Sequence, residues 1–474
     1  VIAEMISDDT DFRGKRITII GAAREGTALA AFLHEKGATV TLSDIKPREA
    51  LNAHLDAVRD LPINLVLGGH PEAILDADVV FVSPGVPLDI PILREARLQG
   101  IPLSSETRLF FRLCPAPIIG ITGSSGKTTT TAMVGEMLKA AGYNTFVGGN
   151  IGRPLIGLLH RMQANDKVVM ELSSFQLEML GASPHIAAVL NVTPNHLDRH
   201  PDMDSYIAAK KEIVLHQGAE DIAVLGRDNP IARSFVQECR GEVVFFSRRE
   251  EMPKGSFLRN DTLMLRLNGE TESLCLRSEL KLRGEHNLEN ILAAALIARL
   301  AGASVEAIAQ VCRTFAGVEH RLEFVATIGG ADFYDDSIAT TPERAAAAVR
   351  SFAEPIVLLA GGRDKHLPWE DLARLTTQKV RHLILFGEAA DLIAGAIAEA
   401  GGRNNGSQSL QVVHKVHTLE EAVPLAAQVA QPGDVVLLSP GGTSFDAFQD
   451  FEERGERFKE LVHRLKSRPA LAHP

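Results

Sequence analysis

Residues 120–131 read GITGSSGKTTTT. A strict Walker A loop needs Gly, four residues, then Gly-Lys-Ser/Thr, and the position where the first Gly should fall is Ile121. The surroundings still fit a phosphate-binding loop. The apolar run PIIGIT before it reads as a strand, and KTTTTAMVGEMLKAAG after it reads as a helix. In a strand–loop–helix unit, Gly123 and Gly126 let backbone N–H groups of the Gly-Ser-Ser-Gly turn face phosphate oxygens, and the helix N-terminus adds partial positive charge. Lys127 can reach the β- and γ-phosphates, and Thr128 can ligate Mg2+. A ligand-free Gly-rich turn is the bland alternative, and Lys-Thr at the expected offset argues against it.

Working outward, strand and helix patterns alternate along the chain, which predicts an α/β architecture with largely parallel sheets. Upstream, KRITIIG reads as a strand ending at Gly21, residues 24–36 as a helix, and ATVTLSD as the next strand, ending at Asp44. DADVVFVSPG repeats the motif of a strand running into a Gly/Pro turn. The turn G-A-A-R-E-G at 21–26 is nearly a dinucleotide fingerprint. Its middle Gly, which lets the backbone approach a pyrophosphate, is Ala23, so a nucleotide other than NAD fits better. CPAPIIG is a linker candidate near residue 115.

Downstream, KVVMELSS, AAVLNVTPN and DIAVLG each read as a strand followed by a polar loop, residues 255–283 as hairpins, and Asn287 to about Thr314 as helix. From Ala316, PIVLLAGG, HLILFG and DVVLLSPGG are strands ending in Gly or Ser-Pro. The expected organisation is three domains: a Rossmann-like domain at 1–114, a central P-loop ATPase-type α/β domain at 115–315, and a Rossmann-like α/β domain at 316–474. A length of 474 residues agrees, at about 150 residues per domain.

Composition removes several classes. The net charge of −11 disfavours nucleic acid and anionic membranes as partners, and 5% aromatic residues with one Trp disfavours a base-stacking surface. The four cysteines, at 114, 239, 275 and 312, have no metal-ligand spacing and read as reduced thiols of a cytoplasmic protein. The acidic first residues lack the apolar core of a signal peptide, and no apolar run reaches the ~18 residues of a membrane span.

Three later stretches bear on chemistry. VGGNIGRP (147–154) offers Asn150 in a Gly-rich loop, and ELSSFQLE (171–178) starts with a carboxylate at a strand end, where a Mg2+ ligand is useful. NVTPNHLDRHPDMDSYIAAK (191–210) carries His196, Asp198 and Lys210. Taken singly, Asn150 reads as a turn residue, Glu171 as solvated, His196 as a satisfied loop histidine, and Lys210 as a surface lysine beside Lys211. The shared position of the three stretches, just after strands downstream of a phosphate loop, favours function for Asn150, Glu171 and His196; for Lys210 the residues alone leave both readings open.

TGSSGKT (122–128), GGNIG (148–152), ELSSFQLE and NVTPNHLDRH, in that order, resemble the Mur ligases of peptidoglycan synthesis. ELSSFQLE with GGNIG is similar to the D-glutamate-adding branch. The resemblance runs from about Lys15 to Leu465, and that family's loop, TG-x-x-GK-[ST], accounts for the missing Gly. The resemblance implies ATP phosphates on Gly123, Ser124, Ser125, Gly126, Lys127, Thr128 and Thr129. It implies one Mg2+ on Thr128 and Glu171, and a second on His196 with Lys210 as a carbamoylated lysine. Catalytic roles fall on Lys127, His196 and Lys210.

LRGEHNLENILAAALIA matches the family's adenine-side segment at Asn287 and Asn290, GVEHRLE supplies His320 and Arg321, and YDDSIATTPERA supplies Asp336 near the ATP ribose. The implied UDP-substrate contacts are Arg24, Glu25, Asp44, Ser83, Gly85, Asn150, Ser173, Gln176 and His196. The implied D-glutamate contacts are Thr340, Lys365, Ser444 and Phe451, with Ser337 nearby. Arg24 and Glu25 replace uncharged residues of the family, Ile338 replaces a Lys, and Gly441-Gly442-Thr443 replaces Ala-Cys-Ala. DNP at 228–230 echoes a motif that relatives carry in their last domain, and is discounted here.

The implied substrates are ATP, UDP-MurNAc-L-Ala and D-glutamate, with the protein acting as a monomer. Another Mur or folylpolyglutamate-type ligase, a nucleotide-switch ATPase and a nicotinamide oxidoreductase are the rival readings. Residues 15–112, which read as a UDP domain, disfavour the folylpolyglutamate type.

Overall fold

The computed structural model describes residues 11–467 apart from 153, 195–198, 283, 366 and 404–408. The chain forms two compact units, the first ending at Phe315 and the second beginning at Ala316.

The first unit contains two sheets. One is all-parallel, in the order Asn64–Leu67, Thr39–Asp44, Arg16–Ile20, Val79–Val82, Leu103–Ser104. Its central strands are near-continuous apolar runs because both faces are covered, as parallel sheets require. The strand order reverses between Arg16–Ile20 and Val79–Val82. The turn at Gly21 and the Ser83 loop therefore open side by side at the carboxyl ends of the strands, where such folds bind ligands.

The other sheet has nine strands. Its parallel part places Ile118–Thr122 between Lys167–Glu171 and Ile186–Val189, so the loops at 123–126, 172–173 and 190–194 emerge together. Gly255–Arg259, Thr262–Leu267 and Glu270–Leu276 extend it as antiparallel hairpins, as the alternating pattern predicts. The helix Glu285–Leu300 is buried over most of its length against the helix Lys127–Ala140 and packs on this sheet. It is apolar on most sides because it is buried on most sides. No helix among the described residues is long and apolar enough to cross a membrane. The discounted DNP stretch is a helix start: Asn229 caps Pro230–Ser234 through the Ala232 N–H, and also accepts from the Val192 N–H.

The second unit is a six-stranded sheet in the order Glu323–Ile328, Ala331–Asp335, Val435–Gly441, Ile356–Gly361, Val380–Phe386, Val412–Lys415. Only its first pair is antiparallel. Ala331–Asp335, Val435–Gly441 and Ile356–Gly361 are adjacent, so the loops DDSIATT, GGTSFD and GGRDK leave from neighbouring strand ends.

Candidate active site

In the first unit the phosphate loop is built as its sequence predicts. Gly126 has φ +82°, and a Cβ there would fall 2.1 Å from Asn290 Oδ1, so backbone strain and crowding both require glycine. This places Asn290, expected on the adenine side, directly against the phosphate loop, where its Nδ2 donates to Asn287 Oδ1 at 3.1 Å. Asn191 Oδ1 accepts from the Ser125 N–H at 3.0 Å, and Ser124 Oγ pairs with Tyr206 Oη at 3.0 Å. The turn is thus held in shape from its outer side, with Thr129 half-buried on the helix behind it.

Lys127 Nζ and Lys210 Nζ both donate to the Gly123 carbonyl, at 2.9 and 3.0 Å, and Lys210 also donates to Thr122 Oγ1 at 3.3 Å. Lys210 is 1% exposed, so it is no surface lysine. Burial, followed by the neighbouring Lys127 charge, pushes its pKa well below that of an exposed amine, with Glu171 opposing. Thr128 Oγ1 donates to Glu171 Oε2 at 2.8 Å, and Asn150 Nδ2 donates to Glu171 Oε1 at 2.8 Å. Glu171 is buried, contrary to the solvated alternative.

A hydroxyl and a carboxylate at the mouth of a phosphate loop form the hard oxygen donor set that suits Mg2+. Lys210 fits a cation only as an oxygen-donor carbamate. His196 lies outside the described residues.

Arg24 Nη2 donates to the Asn150 carbonyl at 3.3 Å, and Gln176 Nε2 donates to Glu25 Oε1 at 3.1 Å. Gln176 and Ser173 form a reciprocal capping box. Asp44 accepts from the backbone N–H groups of Ala22 and Lys46, and Ser83 Oγ donates to the Gly21 carbonyl. Asp44, Ser83 and the exposed Gly85 therefore border the Gly21 turn, as expected for a nucleotide crevice.

Sequence reading missed Glu106, which is buried near Glu25. Burial raises Glu25 to about 7, against the pull of Arg24 and Gln176. Burial and then Glu25 raise Glu106 to about 8. Both folded pKa values lie above the ordinary 4.5, so the folded chain binds more protons than the unfolded chain between about pH 4.5 and 8. Stability from this pair is fully present at the acidic side and is lost as pH rises through that window. Glu106→Gln is therefore expected to melt above wild type at about pH 9 and no higher at about pH 5, read by scanning fluorimetry. Equal shifts at both pH values would contradict the pair's ionisation.

In the second unit, His320 (φ +60°) and Leu322 (φ +46°) hold left-handed backbone on either side of Arg321. Strain of this kind, of order 1–3 kcal/mol per residue, collects at functional sites. Asp336 is buried, accepts from Ser439 Oγ at 2.8 Å, and sits within the Arg321 field. Burial lifts its pKa to about 7. Lys365 Nζ donates to Thr340 Oγ1 at 3.3 Å, and Ser337 Oγ donates to the Phe451 carbonyl at 2.8 Å. Ser444 is buried in the GGTSFD loop, whose Thr443 exchanges backbone hydrogen bonds with Arg363. Thr340, Lys365 and Ser444 thus lie on loops that interlock, and Phe451 opens the helix that Ser337 tethers. The Gly-Gly-Thr departure forms a close backbone approach to the GGRDK loop.

Family profiles match in three successive segments: the MurD-like N-terminal domain at residues 15–105, the Mur ligase middle domain at 121–298, and the Mur ligase glutamate ligase domain at 320–442. The chain is 43% identical to UDP-N-acetylmuramoylalanine–D-glutamate ligase of Pelotomaculum thermopropionicum, over 96% of this chain and 99% of that one. The chain belongs to the Mur ligase family. It is 42% identical to the ligase of the same name from Acetivibrio thermocellus, over 96% of this chain and 97% of that one. Among solved structures it resembles UDP-N-acetylmuramate–alanine ligase from Thermotoga maritima, with TM-score 0.56 at 20% identity over 95% of this chain and 99% of the other. That likeness supports the fold. The three-domain α/β architecture expected from the sequence is therefore that of Mur ligases.

Proposed function

We propose that this chain is an ATP-dependent amide ligase that adds D-glutamate to UDP-N-acetylmuramoyl-L-alanine in peptidoglycan precursor synthesis. The observation that carries this reading is the convergence of Lys127, Thr128, Glu171 and Lys210 around Gly123, in a chain so similar to ligases of that name.

The L-alanine carboxylate attacks the γ-phosphorus of ATP; the P–O bond to ADP breaks and an acyl phosphate forms. The amine of D-glutamate attacks the acyl carbon, the tetrahedral intermediate expels inorganic phosphate, and the nitrogen loses a proton as the amide forms. The first step brings anion to anion. Lys127 must leave the Gly123 carbonyl for the phosphates, where its charge lowers that repulsion. Backbone N–H groups at 123–129 hold the phosphates in line. Arg321, Asp336, Asn287 and Asn290 are the nucleoside-side residues in this reading.

Arg24, Glu25, Asp44, Ser83, Gly85, Asn150, Ser173, Gln176 and His196 orient the UDP substrate. Thr340, Lys365, Ser444 and Phe451 orient D-glutamate, much of the rate coming from such positioning. Thr128 with Glu171, and His196 with a carbamoylated Lys210, would each hold a Mg2+ ion, which would supply charge neutralisation between carboxylate and triphosphate.

The physics of Lys210 supports its modification. A neutral amine adds to carbon dioxide and loses a proton, and burial beside Lys127 favours the neutral amine. The reading further includes a monomer working in the cytoplasm, with domains at 1–114, 115–315 and 316–474.

The test is phosphate release with ATP, UDP-MurNAc-L-Ala and a panel of amino acids. Stimulation by D-glutamate alone is expected; stimulation by another amino acid and not D-glutamate would overturn the assignment.

A further inference from the structure

Arg454 is fully buried, at 0% exposure, in the first turn of the helix Phe451–Ser467. A cation there is unfavourable twice over: it has lost its water, and it sits at the positive end of the helix dipole. No carboxylate among the described residues lies within ion-pair distance of it. Its neighbours are neutral oxygens instead: Nε donates to Ser337 Oγ at 3.0 Å, Nη2 to the Ser337 carbonyl at 2.9 Å, and Nη1 to the Gly442 carbonyl at 3.2 Å. Asp446 and Asp335 act on it only at longer range.

Those three bonds join the loops that carry the amino-acid residues. Ser337 stands three places before Thr340 and tethers the Phe451 carbonyl. Gly442 stands two places before Ser444. The helix itself begins at Phe451. Gly455 lets this helix come so close that a Cβ there would lie 2.1 Å from His320 Nδ1 and 2.7 Å from Asp335 Oδ2. Arg344 and Arg454 act on the Lys365 ammonium, while Asp446 and Asp335 offset part of the Arg454 charge. The exposed Lys365 ammonium, beside loops that these bonds hold in place, suits an amino acid bearing two carboxylates.

We propose that Arg454 is the positioning residue of the amino-acid site: its guanidinium locks the 337–340 loop, the 442–444 loop and Phe451 into one cradle for a dicarboxylate amino acid. This rests on the D-glutamate reading given above. Asp336 has its own supports in Ser439 and the Leu322 N–H, so the nucleotide side does not depend on the lock.

The test is steady-state kinetics of the full-length chain for wild type, Arg454→Lys and Ser337→Ala, varying each substrate in turn. Lysine keeps the charge but cannot make the planar three-way contact. Arg454→Lys is expected to raise KM for D-glutamate at least about tenfold, with KM for ATP and for UDP-MurNAc-L-Ala changed less than about threefold. Ser337→Ala, which removes one acceptor and the Phe451 tether, should move the same constant in the same direction by less. An unchanged D-glutamate KM in both variants, or a parallel rise in all three constants, overturns the proposal. If wild type selects a different amino acid, the D-glutamate reading fails, and the same split measured with that amino acid still decides the role of Arg454.

Discussion

Lys127→Ala is expected to lower D-glutamate-dependent phosphate release by about 10³-fold or more, because one preorganised charge at a phosphoryl-transfer site is worth that much. The side chain is half-buried at the start of the helix Lys127–Ala140 and donates to the Gly123 carbonyl. Removing a cation from a helix N-terminus does not weaken the helix, so the melting temperature should stay level or rise slightly. The phosphate-release assay with a thermal melt of the same preparation separates the two effects. A variant within tenfold of wild type would show that Lys127 does not meet the phosphates.

Lys210→Ala is expected to cost about as much, roughly 10³-fold, and for a different reason. If Lys210 serves as a carbamate, alanine removes an anionic oxygen donor and leaves a small space beside Thr122 and Gly123. Formate or acetate can enter that space, so adding short carboxylic acids should restore part of the activity. Depleting carbon dioxide should lower wild-type activity and leave the rescued variant unaffected. Activity at wild-type level without any added acid would remove the carbamate from the mechanism.

Much of the fold was legible because each parallel strand ends in a residue that must turn. Gly21, Ser83, Gly123, Ser173 and Gly362 all follow largely apolar runs, and all lie at the sheet ends where loops meet; the strand Ala331–Asp335, with two aspartates, gave no such run. The phosphate loop was legible for the same reason, since its strand and helix flank it directly. Burial was not legible. Lys210 and Glu171 have ordinary neighbours in sequence, and only the packing of the helix Met203–Leu215 on the loop closes Lys210 off from water. Asn290 lies far along the chain from Gly126, and their contact depends on how Glu285–Leu300 crosses Lys127–Ala140.

Glu106 gave no signal because the burial that raises its pKa comes from tertiary packing and not from any local motif. Arg454 gave a faint one. A glycine one place later, inside a helix, costs about 1 kcal/mol and asks for a packing reason. That reason is the close approach of His320 and Asp335. His196 lies outside the described residues, so its role rests on the resemblance of NVTPNHLDRH to the family motif.

The acyl phosphate is tested most directly by following oxygen. UDP-MurNAc-L-Ala labelled with heavy oxygen in its carboxylate is incubated with the chain, ATP and D-glutamate, and the released phosphate is examined by mass spectrometry. Transfer of one labelled oxygen from the carboxylate to phosphate is the expected result, since the attacking oxygen leaves with phosphorus. Unlabelled phosphate alongside a newly formed amide would contradict carboxylate attack on ATP.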